Sequence, residues 1–376
     1  MAQSQSPVDI AQKLLSFNTM QPEGNEKGCA QYLSSILEEK GFQTARYEFK
    51  KNRTTLVAEI SCDSDKPPVC FTGHMDTVPL GDTPWEHAPF GGEVEGDKIY
   101  GRGITDMKGG IAAITAAAIQ ASENTKKMKA GLKLIFTAGE ELGCKGSLHL
   151  AGMPEALGKA GALVVAEPTL NHPVCCHRGA FWIEVSAKGV TAHGATPHLG
   201  DNAIFKIVKM INKIQEYTFD IPKHPLLGPP SLNVGMIKGG ENINSVPDYA
   251  SFTIDIRTLP GQQHEELLED LKKVLGEEAE ISIKNDLPSV ATDPDHLWMK
   301  SVRNAAENIL KMDLPPEGKQ AFTDASVLTE AFNCPSVILG PGTPEMCHKT
   351  DEYCLVSKIE EAVHIYTGII ENWCLE

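Results

Sequence analysis

Histidines and carboxylates stand at the ends of several short apolar runs, where they could act as metal ligands. The run that begins at Val69 leads into His74, and Asp76 follows two residues later. Other ligand-type residues follow similar runs or glycine-rich turns, namely Asp106, Glu140, Glu141, Glu167 and His348. Two imidazoles with several carboxylates form a mixed nitrogen and oxygen donor set, which suits zinc or a neighbouring divalent metal. The pattern predicts a binding site for divalent metal.

The spacing of these residues suggests different roles for them. Glu140 and Glu141 are adjacent and their side chains diverge, so one can bind metal while the other faces a metal-bound water as general base. Asp76 is placed to orient the ring of His74. Asp106 follows a glycine-rich turn that opens onto a helix, and we expect it to bridge two cations. Two divalent cations would balance three such carboxylates and one hydroxide.

Hydrophobic periodicity predicts the elements that must hold these side chains. Short runs rich in β-branched residues predict strands at 54–60, 69–72, 132–137, 162–166 and 336–340. Helical spacing predicts helices at 7–17, 26–40, 109–122, 295–311 and 356–371. Strands that alternate with helices in this way predict an α/β fold with a mostly parallel sheet covered by helices.

The pattern of apolar and polar residues changes between residues 175 and 288. Residues 181–187 and 251–256 alternate apolar and polar side chains, as half-exposed antiparallel strands do. Amphipathic helices are predicted at 202–217 and 263–275, and the proline-containing segment 287–294 reads as a return linker. We therefore predict a discontinuous catalytic domain, residues 1–174 and 289–376, interrupted by an inserted α+β domain at 175–288.

The composition and charge of the chain argue against several classes of binding partner. The 376 residues carry a formal charge of −16 and contain no cluster of Lys and Arg. Binding to nucleic acid or to an anionic membrane requires such a cluster. No apolar stretch approaches the ~20 residues that cross a bilayer. The first 18 residues lack the basic and apolar segments of a secretory signal, and the ten cysteines form no CxxC pair. We expect a cytoplasmic protein that acts on a small molecule or a peptide.

A family resemblance supports this interpretation over essentially the whole chain. The motifs, in order, are Gly-His74-Met-Asp76-Thr-Val-Pro79, Trp85, Pro89-Phe90, Tyr100-Gly-Arg-Gly103, Asp106-Met-Lys-Gly109 and Glu140-Glu141. Their order and spacing resemble the dinuclear zinc amidohydrolase and exopeptidase family. That family includes acetylornithine deacetylase, succinyl-diaminopimelate desuccinylase, aminoacylases and glutamate carboxypeptidase.

The resemblance implies roles for the candidate residues. It implies two divalent metal ions, zinc or alternatively cobalt or manganese. One ion would be held by His74, Asp106 and Glu167, and the other by Asp106, Glu141 and His348, which lies in the segment Cys347-His348-Lys-Thr-Asp351-Glu352-Tyr353. Glu140 matches the general base that activates the water bridging the two ions, and Asp76 matches the partner of His74.

The resemblance also assigns functions to the inserted region. It implies a ferredoxin-like lid and dimerisation domain, and hence a homodimer. His193, within Gly189–Pro197, matches a histidine that reaches the other subunit's active site and stabilises the oxyanion. Asn244 and Arg257 match residues that hold the substrate carboxylate. Thr323 is a further candidate for substrate binding, although the preceding Gln-Ala-Phe sequence departs from the Gly-rich or Ser-containing loop of some members.

Several alternatives stay open at this point. An N-acyl amino-acid deacylase of the acetylornithine or succinyl-diaminopimelate type is favoured, and a carboxypeptidase or dipeptidase is the alternative. A non-catalytic metal-binding protein on the same fold is a more remote one. Arg257 could form a structural salt bridge, and His193 could be an ordinary loop residue. A nucleotide-binding enzyme is disfavoured because no complete Gly-rich phosphate motif occurs, and a cysteine nucleophile because Cys347 and His348 point to opposite faces.

Overall fold

The computed structural model describes residues 5–375, which form two compact units. The described part of the first unit comprises 5–176, Ala291–Gly318 and 323–375. The second unit comprises His177–Val290 and Lys319–Phe322. The chain thus enters the second unit twice, at 177–290 for most of that unit and again at 319–322.

Sixteen strands and ten α-helices form the two units over the described residues. The strands are β1 Gln43–Lys50, β2 Arg53–Ile60, β3 Val69–His74, β4 Val94–Glu95, β5 Lys98–Tyr100, β6 Leu132–Thr137, β7 Ala162–Val165, β8 Val174–His177, β9 Ala180–Lys188, β10 Ser231–Gly239, β11 Tyr249–Arg257, β12 Glu280–Leu287, β13 Val290–Ala291, β14 Glu317–Lys319, β15 Ser336–Ile338 and β16 Tyr353–Leu355. The helices are α1 Pro7–Leu15, α2 Lys27–Glu38, α3 Gly109–Ser122, α4 Lys145–Ala151, α5 Pro154–Leu157, α6 Ala203–Gln215, α7 His264–Leu275, α8 Leu297–Leu310, α9 Ala325–Phe332 and α10 Val356–Cys374.

The central sheet has the order β1-β2-β6-β3-β7-β15-β8-β13, and β14 pairs with β8. Its four middle strands, β6, β3, β7 and β15, are parallel to one another. Every residue of these four strands is buried, as expected for parallel strands covered on both faces. The α/β prediction with a mostly parallel sheet is therefore confirmed.

Apolar helices cover this sheet. Helix α3 is buried on almost all sides because alanine and isoleucine dominate its sequence, and it packs against α1 and α10. From α10, Tyr366 meets the strand residue Phe71 edge-on at 5.4 Å between ring centroids. The Tyr366 hydroxyl donates a hydrogen bond to the Leu339 carbonyl at 2.6 Å, so the buried ring keeps its polar atom paired.

The second unit has its own sheet and core. Its antiparallel sheet has the order β10-β11-β9-β12. Helices α6 and α7 contribute Ile207 and Leu271 to a core that also contains strand residues such as Phe252. The Asn202 side chain caps α6 by accepting a hydrogen bond from the Ile204 backbone N–H at 2.9 Å, as an N-cap residue does.

The structure adds elements that periodicity did not predict. Strands β1 and β10 are edge strands with many exposed residues, so they lack an apolar run. Helix α9 lies in a segment for which the sequence predicted no element. Within residues 5–375 no helix is both long and apolar enough to cross a membrane, and all ten cysteines are free thiols.

The buried strands should dominate the stability of the first unit. Leu134, in the middle of β6, is fully buried, whereas Leu297 at the start of α8 is 83% exposed. We expect Leu134→Ala to lower the free energy of unfolding by about 2–5 kcal/mol. The matched change Leu297→Ala should alter it by no more than about 0.5 kcal/mol. Urea unfolding of the metal-free protein, followed by circular dichroism, measures both, and equal effects would contradict the assigned core.

Candidate active site and metal centre

The carboxyl ends of the four parallel strands carry most of the candidate ligands. His74 ends β3, Glu140 and Glu141 follow β6, and Glu167 follows β7. His348 lies in the connection from β15 to β16. Because parallel strands end at one edge of the sheet, chain segments that are distant in sequence converge there.

Asp106 lies between two histidines. Its Oδ1 is 3.1 Å from His74 Nε2, and its Oδ2 is 3.4 Å from His348 Nε2. The two oxygens of one carboxylate thus face two different imidazoles, an arrangement that suits a carboxylate shared by two cations.

Each imidazole has a further carboxylate beside it. His74 Nε2 is 3.5 Å from Glu167 Oε1, and His348 Nε2 is 3.2 Å from Glu141 Oε1. The ligand atoms of His74, Asp106 and Glu141 lie within 4.8 Å of one another, as do those of His74, Glu140 and Glu167. The donor set therefore fits two adjacent divalent cations in chemistry and proximity.

The electrostatics of the cluster also favour cation binding. Burial raises the pKa of Glu140 well above its usual value, and the nearby Glu167 and Glu141 charges add to this. Burial opposes the charged form of His74, yet Asp106 and Glu140 hold the His74 pKa well above its ordinary value. Hydrogen bonds with Asp106 and Glu141 raise the pKa of His348 to about 10. In the absence of metal, protons supply the positive charge that these carboxylates require.

Asp76 is fully buried and supports the pair of glutamates. Its two carboxylate oxygens accept hydrogen bonds from the Glu140 and Glu141 backbone N–H groups at 3.0 and 3.1 Å. Gln21 donates a third through Nε2 at 2.6 Å. The Asp76 carboxylate is 3.7 Å from His74 Nδ1, which lies closer to the Asp76 backbone oxygen, at 3.0 Å. The expected contact of Asp76 with His74 is therefore made by the main chain, and its carboxylate orients the loop after β6.

A second buried carboxylate, that of Asp324, interacts electrostatically with Glu140. Asp324 accepts hydrogen bonds from the hydroxyls of Thr137 and Ser147 at 2.5 and 2.6 Å. Cys144 Sγ is 3.8 Å from Glu140 Oε1. Residue-type patterns did not identify Asp324 or Gln21, because each lies far in sequence from the strand ends that it supports.

Thr323 differs from its predicted role. Its side chain is fully buried, and its Oγ1 accepts a hydrogen bond from the Ala325 backbone N–H at 3.0 Å. This hydroxyl accepts a hydrogen bond from the first residue of α9 and so stabilises the start of that helix. The structure therefore offers no support for the expected substrate contact of Thr323.

Arg257, in the second unit, forms the salt bridge that the sequence left open as an alternative. Its Nε is 2.9 Å from Asp255 Oδ1, two residues earlier on the same strand face. The guanidinium lies 5.9 Å from the Trp182 ring centroid and 5.7 Å from that of Phe322. A cation held against aromatic faces in this way remains a suitable site for a carboxylate.

His193 and Asn244 also lie in the second unit and are exposed. The His193 ring accepts a hydrogen bond at Nδ1 from the Ala195 backbone N–H at 3.0 Å, which places the proton of a neutral ring on Nε2. The Gly194 backbone N–H donates to the Asn244 carbonyl at 2.7 Å. The two loops are thus joined, and His193 presents a donor to its surroundings.

One further group of ligand-type side chains lies on the surface. His87, Glu93 and Glu95 have ligand atoms within 4.8 Å of one another. His87 stacks on Tyr100 at 3.7 Å between ring centroids. Exposed groups of this kind are common without a metal, whereas the cluster around Asp106 is mostly buried.

Comparison with known proteins agrees with this geometry. The chain is 28% identical over 398 residues to a Staphylococcus aureus protein named probable succinyl-diaminopimelate desuccinylase, covering 97% of this chain and 99% of that one. It is 30% identical over 361 residues to an acetylornithine deacetylase from Myxococcus xanthus, covering 91% of each.

Solved structures share the fold at lower identity. An M20 family metallo-carboxypeptidase from Sulfolobus solfataricus superposes with a TM-score of 0.80 at 19% identity, covering 98% of this chain and 99% of that one. A dinuclear metal-binding M20 peptidase from Bacillus subtilis gives 0.73 at 16% identity, covering 97% and 96%. The model of peptidase family M20/M25/M40 matches residues 70–372. This chain belongs to that family of hydrolases.

Proposed function

We propose that this protein is a dinuclear metallohydrolase that cleaves the amide bond of an N-acyl amino acid. The observation that carries the proposal is the Asp106 carboxylate, whose two oxygens face His74 and His348. We assign one ion to His74, Asp106 and Glu167 and the other to Asp106, Glu141 and His348, with zinc as the expected metal. When bound, such ions supply Lewis-acid activation of a water molecule and of the scissile carbonyl.

The residues of the chain perform the remaining steps. Glu140 accepts the proton of the attacking water, whose oxygen adds to the carbonyl carbon. The carbon–nitrogen bond then breaks, and Glu140 passes the proton to the leaving nitrogen. Glu140 suits this role because Glu141 is engaged with His348 at 3.2 Å, whereas burial raises the pKa of Glu140, and a raised pKa makes its carboxylate a stronger proton acceptor. Arg257 and Asn244 would hold the substrate carboxylate.

The base assignment predicts the effect of a single substitution. Glu140→Gln keeps the size of the side chain but cannot accept the proton, so kcat should fall by about 10²- to 10⁴-fold. Elemental analysis should still find both metals. Glu155→Gln, on the exposed start of α5, is the matched control and should keep full activity. Unchanged turnover in Glu140→Gln would refute the assignment.

The substrate class is supported by the curated relatives, which are named as a desuccinylase and a deacetylase at 28% and 30% identity. The solved carboxypeptidase, at 19% identity, supports the fold alone. We therefore expect kcat/KM to be highest on acetylornithine, succinyl-diaminopimelate or another N-acyl amino acid. Dipeptides and tripeptides should be poorer substrates in the same assay. Faster hydrolysis of a peptide would establish the exopeptidase alternative.

We also propose a homodimer formed through the second unit. Strand β10 is an edge strand, and exposed edges favour pairing with another chain. Apolar side chains on this strand, just after it, on α6 and just before α6 are at least 43% exposed, namely Met236, Ile237, Ile243, Phe205, Val208 and Leu199. A second copy would cover these residues. In such a dimer His193 would donate from Nε2 to the developing oxyanion at the partner's metal centre.

Mixing two inactive variants tests this role of His193. Glu140→Gln lacks the base, and His193→Ala lacks the oxyanion donor. If the histidine acts across the dimer, a mixed dimer has one complete site, so unfolding and refolding an equimolar mixture should restore about a quarter of the wild-type activity. Each variant treated alone is the control. No recovery, in a mixture shown to contain mixed dimers, would place His193 in its own subunit's site or outside catalysis.

A further inference from the structure

The buried carboxylate of Glu352 occupies an unusual position next to the proposed metal centre. Glu352 is 1% exposed and follows His348 by four residues. Four hydrogen bonds to its carboxylate come from residues 102–106, the loop that carries Asp106, and are donated by one arginine side chain and three backbone N–H groups. Its function is therefore separate from the ligand set assigned above.

Three backbone N–H groups of the Asp106 loop converge on this one carboxylate. Gly103 donates to Oε2 at 2.9 Å, Thr105 donates to Oε1 at 2.8 Å, and Asp106 itself donates to Oε1 at 3.1 Å. Successive N–H groups that point at one anion form a concave binding site for it. The carboxylate thus fixes the backbone from which the shared Asp106 side chain projects.

Arg102 extends the same connection to the segment that carries His348. Its Nη1 donates to Glu352 Oε2 at 2.7 Å and to the Lys349 carbonyl at 3.1 Å. Its Nη2 donates to the His348 carbonyl at 3.4 Å. Arg102 is also 1% exposed, so this ion pair is shielded from solvent and its geometry is firmly held.

Main-chain and hydroxyl contacts reinforce the link. The Gly101 N–H donates to the Glu352 carbonyl at 2.9 Å, and the Thr105 hydroxyl donates to the Tyr353 carbonyl at 2.8 Å. Strand β16 pairs with β5, with Tyr353 opposite Tyr100. These contacts therefore hold together two segments of the chain that are distant in sequence. The residues that contact the Glu352 side chain are 246 to 250 positions away from it.

We propose that Glu352 is a positioning residue that fixes the spacing of Asp106 and His348. It thereby controls retention of the ion held by Asp106, Glu141 and His348, here called the second ion. This inference rests on the proposed dinuclear centre. The ion held by Asp106, Glu141 and His348 takes two of its three ligands from the segments that Glu352 joins. The other ion takes only Asp106 from them. Loss of Glu352 should therefore weaken the second site more than the first.

The test is a calorimetric titration of chelator-stripped protein with Co²⁺. Wild type should bind two equivalents. In Glu352→Gln, which replaces an acceptor by an amide that also carries N–H donors, the second equivalent should bind about 10- to 100-fold more weakly. The first should be weakened by a smaller factor. Weakening of both equivalents by the same factor, or of neither, would overturn the proposal.

Two controls separate positioning from general destabilisation. Glu59→Gln removes the partner of another buried cation, Lys133, whose Nζ is 3.1 Å from Glu59 Oε2 in strands β2 and β6. Leu134→Ala weakens the core of the same unit. Both variants should bind two equivalents with wild-type affinities. Preferential weakening of the second equivalent in either control would overturn the specific role of Glu352.

A second variant decides the matter if Glu352→Gln does not fold, as judged by circular dichroism. Arg102→Lys keeps a cation beside Glu352 but removes the forked contacts to the Lys349 and His348 carbonyls. It should fold and still lose affinity for the second equivalent, and wild-type affinity would overturn the proposal. Wild-type protein that binds fewer than two equivalents would instead refute the proposed dinuclear centre, whatever the variants show.

Discussion

The structure depends on bringing several carboxylates and two imidazoles into one small, mostly buried space. Such a cluster is unfavourable without positive charge, as the raised pKa values of Glu140, Glu141 and His348 indicate. Protons meet this need in the metal-free protein, and divalent cations would meet it in the active one. The site therefore couples its own stability to the ions that it binds. This constraint explains why so much of the surrounding buried structure consists of hydrogen bonds that fix carboxylates.

The supporting hydrogen bonds follow a common scheme. Asp76 accepts from the backbone N–H groups of Glu140 and Glu141, and Glu352 accepts from that of Asp106. In each case a buried carboxylate holds the main chain of a loop, and the loop carries another carboxylate of the proposed metal site. Backbone N–H groups are well suited to this because they donate without carrying a net charge that would compete with the cations. The anionic character of the site is thus preserved while its geometry is restricted.

The sequence predicted the parts that depend on local pattern. The buried parallel strands were visible as short apolar runs, and the candidate ligands at their ends were identified from residue type and from the family motifs. The edge strand β10 was not visible, because its exposed residues do not alternate regularly and its register shifts between Val234 and Met236. The Asp76 carboxylate was assigned to His74 from a spacing of two residues. Its hydrogen bonds instead cross to the loop after β6, a tertiary contact that spacing cannot reveal.

The same limit applies to the residues around Glu352. The motif containing His348 and the motif containing Asp106 were each recognisable, but their physical connection runs through Arg102 and the main chain of both loops. An isolated glutamate four residues from a candidate ligand has no distinctive local signal, since surface carboxylates are common in an acidic chain. Its meaning comes from complete burial together with several converging donors. A buried carboxylate must find such partners or lose its charge, and here those partners include the backbone of the loop that carries Asp106.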